Sequence, residues 1–153
     1  MSDTPLDPGT RLQLVGGGRM GQALLQGLLD AGWATPAELA VVEVVDEQRT
    51  RLAAQFPGVA VVASPGPGVD TLVAVKPHLV VDVCRALERP SRVLSVAAGI
   101  TIAAMEQALP EATPVVRAMP NTPALVGLGA AGLAGGTSAG EADMDWAASI
   151  LGS

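Results

Sequence analysis

The sequence predicts a doubly wound α/β fold with a mainly parallel sheet and helices on both faces, and three observations carry that prediction. Short runs of Val and Leu alternate along the chain with segments of helical periodicity. The runs are nearly continuous in apolar residues, as strands covered on both sides require. Three consecutive glycines, Gly16, Gly17 and Gly18, stand where the first apolar run meets the first helical segment.

Each element has a local reason. LQLV (12–15) reads as a strand, and residues 20–31 as a helix with Met20, Ala23, Leu24, Gly27, Leu28 and Ala31 on one face. TPAEL (35–39) makes one helical turn, with Thr35 as cap, Pro36 first and Glu38 reaching back. LAVVEVV (39–45) is a strand, followed by a charged helix through Gln55. VAVV (59–62) and TLVAV (71–75) are strands joined by the loop ASPGPGVD. Residues 79–88 read as a helix, 92–97 as a strand, 102–109 as a helix capped by Thr101, and 113–118 as a strand. Near the end, Ser138 and Glu141 form a capping box, and Met144, Ala147, Ala148 and Leu151 continue a helical face. Residues 1–10 read as a flexible leader and 11–137 as one domain.

Composition excludes several function classes. A chain of 153 residues, 49% hydrophobic and 16% charged, fits one globular domain with a sizeable core. A net charge of −6 argues against nucleic acid or an anionic membrane as partner. With no Tyr, two Trp and one Phe, stacking on bases is disfavoured as well. The single cysteine, Cys84, allows no internal disulfide and fits a reducing cytoplasm; its apolar setting marks it as a core residue. The first ten residues lack a signal-peptide pattern, and no apolar run is long enough to span a membrane.

Gly16-x-Gly18-x-x-Gly21 between a strand and a helix is a dinucleotide fingerprint. The first glycine permits the tight turn, the second lets a pyrophosphate approach the backbone, and the third lets helix and strand pack. Free amides at the helix start then hold the phosphates. Glu43 follows Gly21 by twenty-two residues, about where an acidic side chain meets the ribose hydroxyls. A solvated strand-end carboxylate would read the same way. A carboxylate there repels a 2′-phosphate and leans towards NADH, whereas Arg49 and Arg51 compensate if the helix start turns inward. NADPH and NADH both stay open.

Ligands in such sheets bind beyond the carboxyl ends of the strands, and three later ends carry unusual residues: AVKPH (74–78), VAAGIT (96–101) and RAMPNTPALVG (117–127). Small residues Ala97, Ala98 and Gly99 leave room for a flat ring. Lys76 is either a cation for ribose or a substrate carboxylate, or a surface lysine. His78 reads equally as a solvated loop residue. Asn121 and Thr122, held between Pro120 and Pro123, form a rigid loop of polar donors. No His/Asp pair, metal cluster or nucleophile constellation emerges from the sequence.

VGGGRMGQALLQGLL, AVKP, VAAGITI and VVRAMPNTPALVG, in this order and spacing, resemble pyrroline-5-carboxylate reductase over roughly residues 11–137. The resemblance implies a Rossmann-type cofactor domain and reduction of 1-pyrroline-5-carboxylate to proline with NADPH or NADH. It implies that Gly16, Gly18, Met20 and Gly21 hold the pyrophosphate, and that Ala74, Lys76 and Pro77 line ribose and nicotinamide. Ala97, Ala98 and Asn121 then sit beside the ring, with Lys76, Asn121 and Thr122 as candidates for the substrate pocket. Arg19 departs from the family's usual Asn or Ser, and its side chain is positioned to reach a phosphate. SPGPG (64–68) is shorter than the family's polar segment. Residues 138–153 are then the start of a helix leading to an absent helical domain, which in the family supplies dimerisation and part of the substrate pocket. That helix is expected to leave Met144, Trp146 or Leu151 partly exposed. Two alternatives remain: another NAD(P)-dependent reductase of the hydroxyacid dehydrogenase type, and a non-catalytic dinucleotide-binding remnant.

Overall fold

The structure, a computed structural model, describes residue 6, residues 8–118 and residues 132–152. The candidates Asn121 and Thr122 lie outside these described residues.

In chain order the elements are β1 (Leu12–Val15), α1 (Arg19–Asp30), a 3₁₀ turn at Pro36–Glu38, β2 (Leu39–Val42), α2 (Asp46–Gln55), β3 (Ala60–Val62) and β4 (Thr71–Val73). There follow a second 3₁₀ turn at Pro77–Leu79, α3 (Val80–Ala86), β5 (Val93–Ser95), α4 (Ile102–Ala108), β6 (Val115–Ala118), β7 (Leu133–Gly135) and α5 (Glu141–Leu151). Among the described residues the strands form one sheet in the order β3-β2-β1-β4-β5-β6-β7. β1 to β6 are parallel, and β7 runs antiparallel to β6. The chain winds outward from β1 to β3, returns to β4 and winds the other way, which is the doubly wound topology of the Rossmann fold.

Alternation along the strands sorts side chains between two apolar layers. Leu14, Leu72 and Val116 face Leu25 and Leu28 of α1, Leu52 of α2 and Ile150 of α5. Val15, Val73 and Val115 face Val80 and Cys84 of α3 and Met105 of α4. The second layer also buries Gln13, whose Nε2 donates to Gly66 O and Thr71 Oγ1, both at 3.0 Å. Its Oε1 accepts from Gly66 N at 2.9 Å, so one buried amide pins the 64–68 loop beneath the sheet.

Local capping acts as the sequence predicts at two places. Thr101 Oγ1 accepts from Ala104 N at 3.1 Å, and Glu38 Oε1 accepts from Thr35 N at 2.8 Å. Elsewhere the tertiary structure overrides the pattern. The second strand ends at Val42, because Val42 is the last residue paired with β3 and the chain must turn to start α2 at Asp46. β7 is an addition: LAG has no strand signature and is held by pairing with β6 and by Gly136 N donating to Val115 O at 2.8 Å. The Ser138/Glu141 box does not form. Gly140 is the N-cap of α5, and Asp143 Oδ2 accepts from its amide at 2.9 Å.

The expected exposure of the last helix holds for Met144, which is partly exposed, and is corrected for Trp146 and Leu151. Trp146 is 8% exposed, Ile150 2% and Leu151 1%, because α5 completes the layer that α1 begins. Arg92 fastens it: Nε lies 3.1 Å from Asp70 Oδ2, Nη1 lies 3.3 Å from Asp143 Oδ1, and the guanidinium stacks 4.5 Å from the Trp146 ring centre. Burial pushes the Asp70 carboxyl above its ordinary value, against the pull of Arg92.

Candidate functional site

The winding reverses between β1 and β4, so α1 and α3 pack on opposite faces and leave a crevice between the strand ends. A cleft of about 610 Å³ opens there, floored by the glycine triplet and the ends of β2 and β4.

The three glycines are not equivalent. Gly16 has φ 115°, and a Cβ on it would lie 2.7 Å from Ala74 O, so turn geometry and close packing both demand glycine. A Cβ on Gly17 would lie 2.6 Å from Leu52 Cδ1 and 2.9 Å from Glu43 Oε1. A Cβ on Gly18 would meet no protein atom within 4 Å; this glycine borders open space in the cleft at the N-cap of α1. The fourth, Gly21, is buried, and a Cβ there would collide with Gly16 O. Its close approach is therefore to the loop's own carbonyl, where the sequence predicts strand packing.

The loop is braced from three sides. Gly16 N donates to Val42 O at 3.0 Å, and Gly17 N donates to Glu43 Oε1 at 3.0 Å. Gly17 O accepts from Gln22 Nε2 of α1 and Gln48 Nε2 of α2, each at 2.8 Å. With its carbonyl turned away to these amides, the segment presents the start of α1 to the cleft. The first-turn amides of a helix have no intrahelical acceptor and carry the positive end of its dipole. The first turn of α1 contains no acidic residue, and Arg19 and Met20 are exposed there. This end is built to receive an anion.

Glu43 is partly buried at the end of β2, and both its oxygens are engaged: Oε2 accepts from Val45 N at 3.0 Å. Beyond β4, Ala74 is buried, while Lys76 is exposed and its ammonium has no hydrogen-bond or ion-pair partner among the described residues. Pro77 opens the 3₁₀ turn that carries His78 and Leu79. At the end of β5, Ala97 is buried, Ala98 is exposed and Gly99 takes φ 79°.

Of the sequence candidates, Gly16, Gly18, Glu43, Ala74 and Lys76 line the cleft together. Arg19, Met20 and Gly21 sit at the start of α1 beside it, while Pro77, Ala97 and Ala98 are not part of its lining. Sequence reasoning missed the apolar wall made by Val44, Ala63, Pro65, Leu79 and Val83. Its signal is exposure: Val44 is 79% and Leu79 41% exposed, unusual for such side chains. Cys84 belongs to the core, where burial pushes its thiol up to about 11. Among the described residues no group of His, Cys, Asp and Glu is placed to hold a metal ion, and no helix is long and apolar enough to cross a membrane.

A family model described as NADP oxidoreductase, coenzyme F420-dependent, matches residues 11–99. The chain is 34% identical over 148 residues to a pyrroline-5-carboxylate reductase of Haemophilus influenzae, covering 92% of this chain and 54% of that protein. It is 40% identical over 140 residues to one of Mycobacterium tuberculosis, covering 82% and 46%. The chain thus spans about half the length of the curated relatives it matches. The fold is shared with a pyrroline-5-carboxylate reductase of Coxiella burnetii (TM-score 0.74, 23% identity, 94% of this chain and 56% of that one). It is also shared with a pyrroline carboxylate reductase of Plasmodium falciparum solved with NADP bound (TM-score 0.70, 17% identity, 97% and 55%).

Proposed function

The chain belongs to the coenzyme F420-dependent NADP oxidoreductase family, and from that premise we propose that it is the cofactor-binding part of a pyrroline-5-carboxylate reductase. In this reading it binds NADPH or NADH and serves the reduction of 1-pyrroline-5-carboxylate to L-proline, the last step of proline biosynthesis. One observation carries the cofactor reading: of three braced glycines, Gly18 alone opens into the cleft, at the amide-rich start of α1. Identity to curated reductases supports the substrate.

The chain's residues then divide the work. Backbone at Gly16, Gly18, Met20 and Gly21 holds the pyrophosphate, and the exposed Arg19 adds a cation beside it. The apolar wall of Val44, Ala63 and Pro65 accepts the adenine ring, and Glu43 meets its ribose. Ala74, Pro77, Ala97 and Ala98 keep side chains small or rigid where the nicotinamide lies, and Lys76 offers an unpaired cation to ribose or to a substrate carboxylate. Asn121 and Thr122, outside the described residues, are the further candidates for the substrate side. The bound cofactor supplies a hydride from its nicotinamide C4. A protonated cyclic imine is already electrophilic, so orientation accounts for much of what the protein must add.

We further place the protein in the cytoplasm, with a small-molecule substrate and neither nucleic acid nor membrane as partner, and as a homo-oligomer when a helical C-terminal domain is present. The net charge of −6 and the lone buried thiol support that assignment. Calorimetric titration of both cofactors into this chain tests the first half of the proposal, and saturable binding is expected. A cofactor-oxidation assay with pyrroline-5-carboxylate, on this chain and on the chain extended by a helical domain, tests the second. Turnover is expected only in the extended protein, and its absence from both refutes the substrate.

A further inference from the structure

Building on the dinucleotide reading above, we propose that this site selects NADH over NADPH, because a carboxylate wired into the glycine loop occupies the edge of the cleft where a ribose 2′-phosphate would sit. The family model is described by NADP, so the inference sets this chain apart from that description.

The position of Glu43 is the first ground. It follows β2 directly and lines the cleft, the place from which an acidic side chain reads the ribose hydroxyls. It cannot swing aside cheaply. Its two oxygens accept from Gly17 N and Val45 N, each at 3.0 Å, and moving away would give up both bonds and leave the buried Gly17 amide without its acceptor. A carboxylate has about four acceptor directions, so two remain for ribose hydroxyls. A phosphate ester in place of the 2′-hydroxyl has no proton to donate and brings close to two negative charges.

The second ground is that the arginines of α2, which follow Glu43 in the chain, are engaged elsewhere. Arg49, the arginine of α2 nearest Glu43 in sequence, donates Nη1 to Glu43 O at 2.7 Å and pairs with Asp46. Its side chain is 15% exposed and committed. Arg51 directs Nε and Nη2 to Gln48 Oε1 at 3.0 and 2.6 Å, and Gln48 in turn holds Gly17 O. Lys76 belongs to the end of β4, across β1 from β2, and Arg19 to the start of α1. The first turn of α2, which follows Glu43 in the chain, is itself acidic, with Asp46 and Glu47, and Arg49 is its charge partner at Asp46. The dipole at that helix start amounts to about half an elementary charge, less than the full charge on Glu43 alone. Val44, next to Glu43 and lining the cleft, is apolar and offers no side-chain donor.

The test is calorimetric titration of NADH and NADPH into the 153-residue chain, its Glu43→Gln variant and its Val44→Arg variant. Gln keeps an acceptor for the Gly17 amide while removing the charge, and Arg at the 79% exposed position 44 places a cation at the ribose edge without disturbing packing. We expect NADH to bind at least tenfold more tightly than NADPH at low ionic strength, with the ratio shrinking as salt is added. Either variant should narrow the ratio at least fivefold, chiefly by tightening NADPH. Equal or tighter binding of NADPH by the parent overturns the inference and leaves the cofactor site standing. A ratio that neither variant moves also overturns it. Binding of neither cofactor removes the dinucleotide reading itself, and the inference with it.

Discussion

Replacing Gly18 by Val separates the fold from the site. Gly18 caps α1 at φ −79° and ψ −166°, a region open to any L-residue, and no side-chain cap bond is lost by the change. A Cβ there meets no protein atom within 4 Å. Valine forfeits about 0.5–1 kcal/mol of capping preference and regains a similar amount by restricting the unfolded chain. Stability should therefore stay within about 1 kcal/mol of the parent. The cleft responds differently, because three carbons now stand where a pyrophosphate must touch the backbone. Loss of at least about a hundredfold in cofactor affinity, or about 2.7 kcal/mol, is expected. Gly21→Ala supplies the contrast. Its methyl collides with Gly16 O, a backbone atom that cannot rotate away, so it should destabilise by about 1–3 kcal/mol or more. Calorimetric titration with thermal melting and circular dichroism on all three chains decides the matter. A Gly18→Val chain that is folded and binds cofactor like the parent would refute the assignment of this loop.

Three other outcomes follow from the packing. Arg92→Ala should lose about 1–3 kcal/mol in denaturant melts, because Asp70 and Asp143 are left partly buried without their common partner and Trp146 loses its stacked guanidinium; Trp fluorescence should report the loosening of α5. Burial raises the folded-state pKa of Asp70 above 3.8, so the folded chain binds its proton more tightly than the unfolded one. Stability from this group is complete below 3.8 and is lost as pH rises through the raised value, and Asp70→Asn should abolish that part of the pH slope. Cys84, fully buried with its thiol pushed up to about 11, should resist thiol reagents at about pH 8 in the folded chain and react once the chain is unfolded.

How much of this was legible beforehand depends on how far each contact reaches along the chain. The caps at Thr35 and Thr101 are hydrogen bonds closed within three residues, and such signals survive in a bare sequence. The strand–helix alternation is legible for the same reason, since each run's composition reports its own burial. Glu43 and the glycine fingerprint were visible as a spacing, but the spacing could not say whether the carboxylate was tethered or solvated. That was decided by its bonds to Gly17 and Val45, the first of them twenty-six residues away. The apolar wall of the cleft escaped notice because Val44 follows β2, Ala63 and Pro65 belong to the β3–β4 connection and Val83 to α3, segments that only the fold gathers.

By itself, then, the chain's order of residues determined the doubly wound class, the start of nearly every strand and helix, and the loop able to receive a phosphate. Each of those rests on period, capping or turn chemistry within a few residues. Tertiary structure alone decided which glycine of the triplet is open, where β7 pairs, and whether α5 is buried. The commitment of Arg49 to the carbonyl of Glu43 also belongs to that class, because the helix had to dock before the arginine's reach was defined. Gln13 shows the physical reason most plainly. A polar residue in an apolar strand looks like an error until the sheet brings Gly66, fifty-three residues distant, to both ends of its amide.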